Sequence, residues 1–174
     1  MYKMKHLSLL LLLSCLLFPS CKTSVKTNKL SDYNKKIENN ISIYIAVMAD
    51  GKSKTKFAEN LKEKLISKFA EKNIKADVTI LETEKNKSSH DFKPEDIKTN
   101  NPNGLTLLIT ENAKFEYTRS TFYGLTMRLT DHNLKKDVWV SEQLQIAISG
   151  IGSAPNALSN IIFNSLERDN LLDK

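Results

Sequence analysis

Two histidine–aspartate pairs, two glycine turns, a lone tryptophan and a cysteine behind an apolar run are the features of this chain that could do chemistry. His90-Asp91 and Asp131-His132 each join an imidazole to a carboxylate, as a metal site or a general base requires. Neither has a further local ligand or a cysteine cluster beside it, so both read as polar loop residues, with no metal and no cofactor. Glu111 and Glu116 could act as paired carboxylates, but a surface loop accounts for them. No Gly-x-Ser-x-Gly elbow marks a serine nucleophile. The chain therefore reads as a non-enzyme, a hydrolase with other residues being the last alternative. Gly51-Lys52-Ser53 stands where a phosphate-binding loop belongs, but the glycine needed five residues earlier is Ala46. Gly150-Ile151-Gly152-Ser153 precedes the last predicted helix, whose free amides could hold an anion. The plainer reading is that the glycines let the chain leave a strand and enter the helix. Trp139 alternates with Val138 and Val140 and shares a predicted face with Phe122, Thr126, Ser141 and Gln143. Packing under a helix is favoured there; an exposed Trp139 would instead anchor a partner. Trp139, Gly150, Gly152 and Ser153 are thus the candidate contacts for a partner or ligand.

The only two cysteines, Cys15 and Cys21, lie at the start of the chain. Met1 to His6 carries Lys3 and Lys5. Leu7 to Phe18 follows, twelve residues of which only Ser8 and Ser14 are polar. That is the layout of a signal peptide, shorter than the about 20 apolar residues of a membrane-spanning helix. Pro19-Ser20-Cys21 then resembles the lipobox of bacterial lipoproteins, with Phe18 where leucine is commoner. The resemblance implies cleavage after Ser20 and a diacylglyceryl group on the Cys21 thiol. It also implies a membrane partner, since acyl chains contribute about 0.8 kcal/mol per buried methylene. Lys22 stands where an inner-membrane retention signal would have aspartate. That implies a lipid-anchored protein of the outer membrane, facing the periplasm.

Charge agrees with this division. Of the net +6, residues 1–20 hold +2, residues 21–40 hold +3 and residues 41–174 hold +1. The domain is nearly neutral, which excludes a basic nucleic-acid face. Residues 1–20 read as the signal peptide and 21–40 as a lipidated flexible tether, because polar Lys22 to Asn40 offers little to bury. Residues 41–174 form the domain.

Within that domain, Ile41 to Met48 is a continuous apolar run, as in a strand covered on both faces. Phe57, Leu61, Leu65 and Phe69 recur at helical spacing. Residues 52–75 carry eight Lys against three Glu, with Lys62, Lys68 and Lys72 beside the apolar stripe. This basic helix could meet an anionic envelope polymer. Ala76 to Leu81 and Leu105 to Thr110 read as further strands. Phe122 to Thr130 and Val138 to Ser149 alternate and form an antiparallel hairpin. Ala157, Leu158, Ile161, Ile162 and Leu166 mark the last helix. The expected fold is a single α/β domain: three largely parallel strands, extended by the hairpin and covered by at least two helices.

The strand ending Leu129-Thr130-Asp131, its turn and Val138-Trp139 resemble a segment of small periplasmic α/β domains. These occur in the curli secretion lipoprotein, the lipoprotein activators of penicillin-binding proteins and the propeller protein of the Tol system. The resemblance covers about residues 41–170. It implies a non-enzymatic envelope protein that binds another envelope protein in an outer-membrane or cell-wall assembly. The insertion that builds the curli channel is missing. The alternative from residues alone is a small-ligand or anion binder using Gly150–Ser153.

Overall fold

In the computed structural model, which describes residues 24–47, 52–82, 97, 104–117, 120–147 and 154–173, the run at Ile41 forms an inner strand. The elements are β1 (Ser24–Lys29), β2 (Asn40–Val47), α1 (Lys52–Glu71), β3 (Lys75–Glu82), β4 (Leu105–Tyr117), β5 (Ser120–Asp131), β6 (Lys136–Ala147) and α2 (Ala154–Arg168). The strands make one six-stranded sheet in the order β1-β6-β5-β4-β2-β3. β2 runs parallel to β3 and β4, while β4, β5, β6 and β1 pair antiparallel in turn. The expected α/β fold is therefore present, with both senses of pairing in one sheet.

The main core lies between the sheet and the two helices. Ile41, Ile43, Ile45, Leu107, Ile109, Met127 and Leu129 meet Leu61, Leu65 and Phe69 of α1 and Leu158, Ile162 and Leu166 of α2. Alternation explains the choice: odd-numbered residues of β2, β4 and β5 take this face, and the even-numbered ones take the other. On that second face Tyr44, Ala46 and Leu108 form a small cluster joined by Leu81 and Ile97. The helices also pack on each other. Phe69 and Phe163 rings stand 4.6 Å apart at 59°, and the Lys68 ammonium sits 5.3 Å from the Phe163 ring. Lys72 pairs with Glu167 at 2.9 Å. Lys68 of α1 and Lys72 just past its end are thus employed in joining the two helices.

Both helices end in the same way. Asn73 and Asn170 adopt φ of 58° and 55°. Ile74 N–H donates to Phe69 C=O (2.9 Å) and Asn73 N–H to Ala70 C=O (2.9 Å); Leu171 and Asn170 repeat the pair onto Leu166 and Glu167. This is the Schellman arrangement, with the following apolar residue packed inward. Ile74 and Leu171 are both buried.

Three expectations need correction. From Ser24 onward, the stretch expected to be a flexible tether belongs to the domain. β1 pairs with β6 from Ser24↔Leu144 to Lys29↔Trp139, and Tyr33 and Ile37 are buried. An edge strand needs only backbone pairing and one half-covered face, so low apolar content did not preclude it; its Lys26 and Lys29 suit an edge. Second, Glu111 and Glu116 stand on a strand, not a loop, because β4 continues to Tyr117 and pairs with β5. A register shift between Glu111 and Ala113 breaks the two-residue period there. Third, a bulge resets β6. Leu129 faces Trp139 while Thr130 faces Asp137, leaving Val138 as the extra residue. Val138 and Trp139 therefore both enter the main core, whereas Val140 pairs with Arg128.

Candidate functional site

The turn between β5 and β6 is built on Asp131. Its side chain is 2% exposed. Oδ1 accepts the Asn133 amide at 2.9 Å and the Leu134 amide at 3.4 Å, closing the turn as aspartate does in Asx turns. Oδ2 accepts the Tyr33 hydroxyl at 3.1 Å and the Lys35 ammonium at 3.4 Å. Burial alone would raise the Asp131 pKa. The Tyr33 hydrogen bond, the Asn133 amide, the Lys35 charge and the Leu134 amide outweigh it and hold the pKa below the usual carboxylate value. Tyr33 is pushed well above its ordinary value by burial, by its hydrogen bond to Asp131 and by that group's charge. The acceptor sites of the Asp131 carboxylate are thus in use, which suits a fastener and not a general base.

A second node ties both chain ends to the sheet. The fully buried Trp139 donates Nε1–H to Asp169 Oδ2 at 2.7 Å. Asp169 also accepts Arg168 Nε at 3.0 Å, and its carbonyl accepts Lys29 Nζ at 2.8 Å. Arg168 reaches Thr27 Oγ1 at 2.8 Å. Burial pushes the Asp169 pKa up, but hydrogen bonds from Arg168, Trp139 and Thr27 and the Arg168 charge together hold it low. The favoured packed reading of Trp139 is the one the structure bears out. As a surface contact for a partner it is corrected, because the bulge at Val138 turns the indole inward.

Thr106 Oγ1 and His132 Nε2 lie 2.7 Å apart. A hydroxyl on an imidazole is half of a nucleophile–base pair, and a third group must orient the imidazole. Asp131 does not serve, because Tyr33, Lys35 and the turn amides occupy it. The His132 amide meanwhile donates to Gly104 C=O at 3.1 Å, extending the β4–β5 pairing. Beside this turn a cleft of about 210 Å³ is lined by Lys35, Lys36, Glu38, Asn39 and Gly104 among others. It is smaller than the roughly 300–1,000 Å³ of a small-molecule pocket. It also opens at the amino ends of β2 and β4, whereas parallel sheets place ligands at the carboxyl ends. Its two lysines already pair with Asp131 and Asp173.

Among the described residues, no group of three His, Cys, Asp or Glu is placed to hold a metal ion. None of their helices is long and apolar enough to cross a membrane. Cys21, His90, Asp91, Gly51, Gly150, Gly152 and Ser153 lie outside the described residues. The structural partners that sequence reasoning missed are Tyr33, Thr106 and Asp169. Tyr33 had one signal, as the lone aromatic in a polar stretch. Asp169 had another, in the Asp-Asn pair closing the last helix.

No known protein family matches the chain, and no curated protein does so either. Its fold is similar to that of a PelC dodecamer from Paraburkholderia phytofirmans, at 12% identity over 80% of this chain and 96% of that one, with a TM-score of 0.46. It is similar also to lipoprotein GNA1162 from Neisseria meningitidis, at 13% identity over 75% of this chain and 99% of that one, with a TM-score of 0.39. Such likeness is loose, and no residue role passes across it.

Proposed function

We propose that this chain is a lipid-anchored envelope protein that works by binding another envelope protein, not by catalysis. The observation that carries the reading is the leader: a basic start, the apolar run Leu7 to Phe18 and Cys21 after Ser20, only three residues before β1 begins at Ser24. The described chemistry-bearing groups support the non-enzymatic part. Asp131 and Asp169 are committed to fastening the fold, and the aspartate next to His132 is occupied by Tyr33, Lys35 and the turn amides. The proposed address is the periplasmic face of the outer membrane. Lys22 after the anchor favours it over retention at the inner membrane.

The test has two readings. Cells given a labelled fatty acid are expected to label the wild-type chain and not the Cys21→Ala variant. Mild crosslinking of envelopes followed by pull-down is expected to recover one reproducible protein partner. Label in the Cys21→Ala variant would sink the anchor. Absence of a partner, together with a thermal shift on adding a small anion, would replace the binding role with a ligand-binding one.

A further inference from the structure

The two edges of the sheet are built differently. β1 and β3 are its outermost strands. Among the described residues, no strand pairs with the outer side of either. Such an edge offers a row of backbone amides and carbonyls to another strand unless charge, proline or a bulge blocks it. β1 carries a guard: Lys26 is exposed in mid-strand and Lys29 closes it. β3 is not guarded in this way. Its register with β2 runs unbroken from Asn40↔Lys75 to Val47↔Glu82, with no bulge and no proline. Its charges stand at Lys75, Asp77 and Glu82, so Val78-Thr79-Ile80-Leu81 is uncharged.

Apolar surface borders the same edge. β3 follows the alternation of β2, with Ile43↔Val78 and Ile45↔Ile80 in register, so Ala76, Val78 and Ile80 face the helices. Val78 is buried, whereas Ala76 and Ile80 are only partly covered. α1 lies over this strand. Its Lys68 and the following Lys72 turn towards α2. At about 100° per residue, Ile66 falls on the opposite flank of the helix, above the outer side of β3. Ile66 is 38% exposed. Ile66, Ala76 and Ile80 thus line the edge that β3 leaves open.

We propose that the β3 edge is the contact between two copies of this chain, paired antiparallel about a twofold axis through Thr79. An isologous contact needs a patch that complements itself, and β3 supplies one. With Thr79 opposite its own copy, Val78 lies opposite Ile80 in both halves, on the helix face. Asp77 lies opposite Leu81 on the other face. The adjacent registers that keep the helices on one side fit less well. Centred on Val78, each Asp77 stands diagonal to its own copy, about 7–8 Å away. Centred on Ile80, each Val78 faces Glu82. In the favoured register each Ile66 turns towards the other copy. The β1 edge is a poorer match for β3, because Val25, Thr27 and Lys29 are what it shows on the helix face. The contact does not depend on the lipid proposed for Cys21.

Sedimentation equilibrium of the full chain, in density-matched detergent, tests this. The wild type is expected to dimerise as its concentration rises. Thr79 is exposed, so Thr79→Lys is expected to fold, as circular dichroism checks, while setting two like charges opposite each other. It should weaken the dimer by about ten-fold or more. Directly opposed residues have Cα atoms about 4.5–5.5 Å apart, which is within disulfide range. Thr79→Cys is therefore expected to give a disulfide-linked dimer under mild oxidation, and Asn28→Cys on the β1 edge is not. The wild type, with Cys15 and Cys21, supplies the background. A monomeric wild type, a dimer that Thr79→Lys leaves unchanged, or a Thr79→Cys chain that does not link overturns the proposal. Linkage of Thr79→Cys in cells to a different envelope protein also overturns it, and puts a foreign strand on this edge.

Discussion

At the scale of single residues, two carboxylates hold the fold together from inside. Removing the Tyr33 hydroxyl leaves a buried charge one donor short, so Tyr33→Phe is expected to cost about 1.5–3 kcal/mol in urea unfolding. Both Asp131 and Asp169 have lowered pKa values. In the interval between the folded and unfolded pKa of each, the unfolded chain binds more protons, so stability falls as the pH drops. Stability is therefore expected to be flat between about pH 5 and 9, to fall as the pH goes through and below about 4, and to fall again above about 10, where the raised Tyr33 pKa leaves the unfolded tyrosine the more easily ionised. Asp131→Asn should be less stable at neutral pH but should lose part of this acid dependence. An unfolding midpoint for Asp131→Asn that follows the wild-type pH curve would contradict the assignment. Trp139 is the one tryptophan and is fully buried. Its emission is expected to be blue-shifted in the native protein. Trp139→Ala should cost about 3–5 kcal/mol, against a smaller loss for Trp139→Phe, which keeps most of the ring volume.

The elements divide by how local their causes are. α1 was legible because Phe57, Leu61, Leu65 and Phe69 repeat at the period of its own backbone, and β2 because its β-branched run suits a covered strand. Their ends were legible in principle too, since Asn73 and Asn170 stand where a left-handed residue is needed. Asn73→Val is expected to cost about 1–2 kcal/mol and Asn73→Gly close to nothing, because a β-carbon is what that conformation penalises. Denaturant midpoints of the two variants check it. β1 was not legible. Its stability comes from the backbone of β6, more than a hundred residues away in sequence, and from Lys29 and Arg168 contacts that no local window contains. Native trypsin digestion discriminates sharply here. A tether would be cut at Lys26, Lys29, Lys35 and Lys36, whereas the paired and packed segment is expected to resist until the domain unfolds. The β6 alternation failed for a related reason, since one bulge residue, Val138, moves Trp139 to the core without changing its neighbours in sequence.

At the scale of the molecule, the N-terminal segment and the C-terminal turn are fastened to each other. Lys29 bonds the Asp169 carbonyl, Arg168 bonds Thr27, and the Ile37 amide donates to Leu171 C=O at 2.9 Å. Asp131 and Trp139 are the two landmarks of the Asp…Val-Trp segment, and each anchors one strand of this closure. Their type therefore reports how the domain is shut, and not what it binds. Replacing Asp169 with Ala keeps the carbonyl that Lys29 bonds but is expected to cost more than Arg168→Ala, since it strips the buried Trp139 indole of its acceptor as well as Arg168 of its ion pair. The sequence by itself determined the α/β class, the helix stripes and the parallel central strands, because each rests on neighbours within one turn or one alternation. Only the tertiary structure decided that residues 24–40 are part of the domain and that Trp139 is buried. Those outcomes depend on backbone pairing and side-chain contacts between residues far apart in the chain, which no local periodicity can encode.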